Sequence, residues 1–165
     1  MFKKIVSVTA LGVAVLNPSW VSAAEDALTP IHITANIPNK NFYVQPRNPE
    51  FGKNEVMHFN PVDRRLTPVR QTFDVKHTEG SVHAYIEGAR WLYNGRHTIP
   101  LLTTFNNALL DSIPREVVDD VTSTPGMQAE MVIFVPWPVS SNLSAGMYTG
   151  HFTVMFDAVP RVASL

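Results

Sequence analysis

The sequence predicts an all-β fold, a sandwich or a barrel, and three observations predict it. Thirteen prolines and eight glycines interrupt a chain of 165 residues. The runs between them are short, and they either alternate apolar with polar residues or are rich in β-branched and aromatic ones. Behind the N-terminal segment no long stretch carries helical periodicity. Short runs with turn signals about every ten residues mark a sandwich or barrel.

The first residues read as an export signal. Lys3 and Lys4 form a positive start, Ile5 to Leu16 an apolar core, and Pro18 breaks any helix. Val21, Ser22 and Ala23 supply small residues for cleavage, after Ala23 or Ala24. A helix of about 12 residues spans only about 18 Å, short of the ~30 Å bilayer core. The segment is therefore expected to be removed rather than kept as an anchor. Losing two lysines takes the formal charge from −1 to about −3. No basic stripe marks a nucleic-acid binder. With no cysteine, the fold must be held by burial and strand pairing alone.

The elements follow in order. "IHITANI" (31–37) alternates and stops at Pro38, and "NFYVQP" (41–46) follows a turn. Residues 47–66 are polar and contain Pro49 and Pro61, so they read as a long loop. "PVRQTFDVKH" (68–77) places Val69, Phe73 and Val75 on one face. In "SVHAYIEGA" (81–89), Val82, Ala84 and Ile86 face one way, and His83, Tyr85 and Glu87 the other. Asn94-Gly95 is a hairpin signal, and Asn106-Asn107 a weaker one. Between them runs "TIPLLTTF" (98–105). "IPREVVDDV" (113–121) suits a strand or a short helix. Pro125-Gly126 make a turn before a buried strand at 129–137. The last strand spans 146–158, with Tyr148, Phe152, Val154 and Phe156 as its apolar positions.

Chemistry is hard to find. The six histidines have no short metal-ligand spacing and read as exposed strand or loop residues. Asp119 and Asp120, if in a strand, point to opposite faces and do not cooperate, although Asp111 or Asp157 could approach one of them. No nucleophile elbow, cysteine nucleophile or glycine-rich phosphate loop is present. Neither a catalytic set, a metal site nor a cofactor is expected. Trp91, Tyr93 and Trp137 could stack on a sugar, but strand aromatics more often pack structurally. "SNLS" (141–144) matches an N-glycosylation acceptor as a pattern only.

The two ends of the mature chain say more. "IHITANIPN" near the start and "SAGMYTGHFTVMFDA" near the end resemble the major pilins of chaperone–usher fimbriae of the coli-surface-antigen type. Ile31, Ile33, Thr34, Ala35, Ile37 and Pro38 match the family's opening strand; Ala145, Gly146, Tyr148 and Gly150 match its closing motif. "LYNGRHTIPLLTTFNNALL" is similar to its middle hairpins. The tail at 159–165 departs from the pattern.

That resemblance implies an incomplete immunoglobulin-like β-sandwich, completed by a donor strand from a neighbouring subunit. It divides the chain into a signal peptide (1–23), a donor strand (24–38) and a sandwich domain (39–165). It implies a structural subunit of a bacterial surface fimbria that supports adhesion. The partners would be copies of itself, a periplasmic chaperone, an outer-membrane usher and a tip adhesin, with export through the periplasm to the surface. Ile31, Ile33, Ala35 and Ile37 would form the inserted face of the donor. Tyr148, Phe152, Val154 and Phe156 would line the groove edge on the final strand. Burying three isoleucines contributes roughly 5–9 kcal/mol, comparable with a whole domain's stability of about 5–15 kcal/mol. An empty groove would leave the subunit marginal and prone to wrong pairing. The alternative is a monomeric, secreted or periplasmic immunoglobulin-like binding module whose first strand closes its own sandwich. A small secreted hydrolase or lectin would need convergent polar groups, and the sequence offers no such set.

Overall fold

The computed structural model describes residues 41–162. The expected leader at 1–23 and the expected donor positions Ile31, Ile33, Ala35 and Ile37 lie outside them. The described residues are almost entirely strand, in two main antiparallel sheets.

The larger sheet has five strands. They are β1 (Phe42–Pro46), β4 (Val69–His77), β11 (Met127–Phe134), β8 (Leu102–Phe105) and β9 (Ala108–Leu109), in that order across the sheet. The smaller sheet runs β10 (Arg115–Val118), β5 (Gly80–Gly88) and β12 (Phe152–Pro160). Two short hairpins stand apart: β2 (Phe59–Asn60) with β3 (Arg65–Leu66), and β6 (Trp91–Tyr93) with β7 (Thr98–Pro100).

The period-two pattern decides the faces. On β4, Val69, Phe73 and Val75 are buried, and on β5 so are Val82, Ala84 and Ile86. These two inner rows, with Phe105, Leu110, Val117, Val118, Ala129 and Met131, make one core. Phe105 sits at its centre, fully enclosed, with its ring 5.4 Å from Phe73 and 4.9 Å from Phe156, both edge-on. Such edge contacts suit the ring quadrupole and add to simple area burial.

Several boundaries differ from the sequence reading, each for a local reason. Residues 113–121 are neither all strand nor all helix. β10 ends at Val118, and Asp119 then caps a single helical turn, α1 (Asp120–Ser123), by accepting from the Thr122 N–H at 2.7 Å. The two aspartates are thus a cap and a first-turn residue, not opposite faces of a strand. The loop at 47–66 hides the β2–β3 hairpin, whose strands of two residues are too short to show periodicity. Position 101 breaks the run at 98–105, so it forms two strands. The last strand starts at Phe152, not at 146, and it continues through Val159 and Pro160, which pair with Ser81 and Gly80. Part of the tail is therefore sheet.

His77 corrects the expectation of exposed histidines. It shares the inner face of β4 with Phe73 and Val75 and is buried. Its Nδ1 donates to the Ser81 carbonyl at 3.0 Å, and Phe42 packs edge-on against its ring. One backbone acceptor and one aromatic neighbour satisfy it.

Turns are fixed by side-chain chemistry. Asn106 and Asn107 both take the left-handed conformation, with φ of 47° and 65°, which asparagine tolerates best among non-glycine residues. Asn106 also donates through Nδ2 to the Val117 carbonyl at 2.6 Å. That bond ties the β8–β9 turn to β10 and closes one margin of the sandwich.

Candidate functional site: the open margin between the two sheets

The opposite margin is bounded by β1 and β12. Each is an edge strand, paired on one side only among the described residues: β1 with β4, and β12 with β5. An edge strand leaves a row of backbone donors and acceptors unpaired, which makes it a template for a further strand.

Burial changes sharply across β5 and β12. Directly opposite residues of an antiparallel pair share a face. Phe152 lies opposite Gly88, Val154 opposite Ile86, Phe156 opposite Ala84 and Ala158 opposite Val82. Val82, Ala84 and Ile86 are buried, yet their partners on β12 are only half-buried, and Ala158 is exposed. On the other sheet Phe42 and Val44 are likewise half-buried beside buried His77 and Val75. Phe42, Val44, Phe152, Val154 and Phe156 all pack onto the core, but none is covered by it. The core therefore reaches the surface along this margin as a row of half-buried apolar side chains.

Phe152, Val154 and Phe156 thus stand together on the inner face of β12. Tyr148 does not stand with them. It precedes the strand, and its hydroxyl donates to the Ser144 carbonyl at 2.9 Å. Tyr148 belongs to a polar knot in which Asn94 Nδ2 and His97 Nδ1 each lie 3.0 Å from Ser144 Oγ. That knot fastens the β6–β7 turn to the segment entering β12, which also bridges to Tyr93 through Thr149. Sequence reasoning missed Phe42 and Val44. Their alternation was visible, but their place at a margin depends on strand order, which is not local.

The far end of β12 is anchored firmly. Arg161 donates to both carboxylate oxygens of Asp120, from Nη2 at 2.6 Å and Nε at 2.8 Å, while its backbone N–H reaches the Glu79 carbonyl at 2.8 Å. The guanidinium holds the Asp120 carboxyl below its ordinary range. Gly80 allows the close approach. A Cβ there would sit 2.0 Å from the Val159 carbonyl oxygen and 2.7 Å from the Arg161 nitrogen. Ser123, fully buried, donates through Oγ to the Gly80 carbonyl at 2.6 Å and locks α1 beneath this corner.

Other titratable groups are absorbed in structure. The Ile113 N–H and then Arg115 hold Asp111 below the usual carboxylate range, and the Thr122 N–H does the same for Asp119. Burial, then Asp157 and Glu87, pushes the Tyr85 phenol up. Among the described residues no group of histidine and carboxylate side chains has the geometry to hold a metal. Trp91, Tyr93 and Trp137 are all about half exposed or more, and they form no ring contact with one another among the described pairs.

Two packed antiparallel sheets with almost no helix define an all-β, immunoglobulin-like sandwich. Residues 27–157 match the family model described as CS1 type fimbrial major subunit, and the chain belongs to that family. It is a structural subunit of a surface fimbria. The fold is similar to the solved structure of the CooA pilin subunit from enterotoxigenic Escherichia coli. The two share 14% sequence identity with a TM-score of 0.57, over 69% of this chain and 86% of that one. No curated protein matches the chain. Family membership sets aside the reading as a monomeric binding module.

Proposed function

We propose that the cleft between β1 and β12 is an acceptor site, filled in the fimbria by residues 31–37 of the next subunit. One observation carries the reading: the inner row of β12 is apolar, belongs to the core, and is half-covered beside a strand edge that no described residue pairs. The opening run supplies the complement, with Ile31, Ile33, Ala35 and Ile37 on one face of a period-two strand. Strand addition joins backbone to backbone and fills the pockets with alternate side chains. The exchange is head-to-tail and does not close on itself, so it propagates a filament. On this reading 1–23 is a cleaved signal, 24–38 the donor and 39–165 the acceptor domain.

A chain with an open cleft needs cover before assembly. A periplasmic chaperone would shield the site, an outer-membrane usher would exchange the chaperone for the next donor, and a tip adhesin would head the fibre. The role is to build and to bind, without catalysis.

The test is deletion of Ala24 to Ile37 in cells that carry the assembly partners. The shortened subunit is expected to remain bound to its chaperone and to form no filaments by electron microscopy. Ordinary filaments from the shortened subunit would sink the reading.

A further inference from the structure

We propose that the outward face of the β6–β7 hairpin binds a short saccharide that carries an acidic group, through Trp91, Tyr93 and Arg96. The inference stands on this hairpin and its neighbouring segment, and it does not use the acceptor-site reading.

Parity builds the face. Trp91 and Tyr93 are two residues apart on β6, so both rings stand on one side of it. Leu92, between them, is half-buried, and its β7 partner Ile99 is buried. Tyr93 lies opposite Thr98 and Trp91 opposite Pro100, and all four are exposed. On the other side of β6, Tyr93 exchanges both backbone hydrogen bonds with Thr149, at 2.7 and 3.0 Å. The same register brings His151 level with Trp91, and Thr149 and His151 are also exposed. Two rings thus form the middle of a ribbon three chains wide, with hydroxyl and imidazole groups at their sides.

The backbone under the rings is held firmly. Asn94 Oδ1 accepts from the Arg96 and His97 N–H groups at 3.0 and 2.7 Å, while Ser144 Oγ meets both Asn94 and His97. Gly150 lets the third chain close up, because a Cβ there would lie 2.4 Å from the Trp91 carbonyl oxygen. The rings themselves serve none of this. Trp91 is 49% exposed and Tyr93 48%, and the Tyr93 hydroxyl has no hydrogen bond among the described residues. Large rings so placed contribute little to the fold and much to a ligand.

Three properties select the ligand. A pyranose has an apolar C–H face and a polar rim, which suits an aromatic surface flanked by hydroxyl groups. Charge adds the acid. Residues 88–110 and 137–156 contain no aspartate or glutamate, in a chain whose net charge is −1. Arg96 is exposed at the hairpin tip, and neither its guanidinium nor the His151 ring has a partner among the described residues. A free guanidinium in such surroundings favours a carboxylate or a sulfate. Size disfavours a protein. Chains about 4.8 Å apart and side-chain repeats of about 6.8 Å give the ribbon a footprint on the order of 150 Å². A stable protein interface takes about 800 Å² from each partner, whereas one or two sugar rings fit the ribbon.

A single site of this size is weak. The family places the chain in a fimbria, so the site recurs in every copy of the subunit. Linked sites raise avidity by about 10²–10⁴ without any new contact.

The test sets intact fimbriae on immobilised sialylated, uronic-acid and sulfated oligosaccharides beside their uncharged parents. Fimbriae are expected to bind carboxylated or sulfated members, and to bind the uncharged parents at least tenfold more weakly. Trp91→Ala and Arg96→Gln are each expected to cut that binding at least tenfold, and Trp91→Phe, which keeps a ring, to retain most of it. No binding to any acidic member, equal binding to the uncharged parents, or wild-type binding by Trp91→Ala would overturn the proposal. Binding borne by another component of the fibre would survive both substitutions and overturn it too.

A second measurement leaves the face intact, in case Trp91→Ala does not assemble. In Trp137→Phe fimbriae, Trp91 is the one tryptophan expected in the mature chain. Its fluorescence is expected to be open to acrylamide quenching and to become shielded when the acidic oligosaccharide is added. Shielding already present without sugar would overturn the proposal and assign the face to packing against a neighbouring subunit.

Discussion

Arg161 grips Asp120 with two nitrogens, at 2.6 and 2.8 Å, across 41 residues of chain. The pair joins the strand after its last ladder residue to the only helical turn among the described residues. Both side chains are partly exposed, so the bond counts for its position more than for its Coulomb energy.

Its pH dependence has a definite sign. Asp120 has a lowered pKa in the folded chain, mainly because Arg161 donates to it. Stability from this pair is therefore present above the unfolded carboxylate value of about 3.9 and is lost as pH falls through the folded value. Thermal melts should show wild type above Arg161→Gln at pH 7. The gap should narrow as pH falls below about 3.9 and Asp120 takes up its proton. A gap that persists in acid would assign the effect to packing instead.

Among the described glycines, Gly80 is the one where an added Cβ would come nearest to other main-chain atoms. A methyl group at Gly80→Ala meets main-chain atoms of Val159 and Arg161 that cannot rotate away. Urea unfolding should report a loss of about 1–3 kcal/mol, and amide exchange should speed up at Val159 before it does at Phe152.

Phe105→Ala empties the middle of the core, where Phe73 and Phe156 both lean on the ring. A loss of about 3–5 kcal/mol is expected in denaturant melts. Most of it should remain when the cleft is filled, because the cavity lies beneath the cleft and not in it.

Ser123→Ala removes the hydroxyl that serves the buried Gly80 carbonyl. Calorimetry should find a cost of about 1 kcal/mol.

Ile33→Asp addresses the joint between subunits. An unpaired carboxylate in an apolar cleft is costly. Fimbriae of this variant should dissociate at a lower temperature than wild type, or fail to assemble, while the level of subunit bound to chaperone holds. Unchanged dissociation would place Ile33 outside the joint.

Much of this fold is legible in the sequence because its evidence is local. The alternations at Val69–Val75 and Val82–Ile86 need only the period of a strand, and both faces fall as that period dictates. His77 could have been read the same way, since it is two residues beyond Val75; residue type misled where parity was the better guide. The stretch at 113–121 resisted because Asp119 ends one element and caps the next. The open margin was the least legible part. Which strands lie at sheet edges depends on pairings between β1 and β4 and between β12 and β5, separated by tens of residues. Resemblance at the two ends of the chain implies a groove, but only strand order puts Phe42 and Val44 at the margin that β12 shares.

Phe156 touches Phe73 and Phe105 on one side and is half-buried at the margin of the sandwich on the other. On the acceptor-site reading, selection acting on fibre strength and selection acting on the fold of a single protomer meet at the same side chain. Substitutions there should cost both at once, whereas substitutions on exposed positions such as Thr153 and Val62 should cost the fold little.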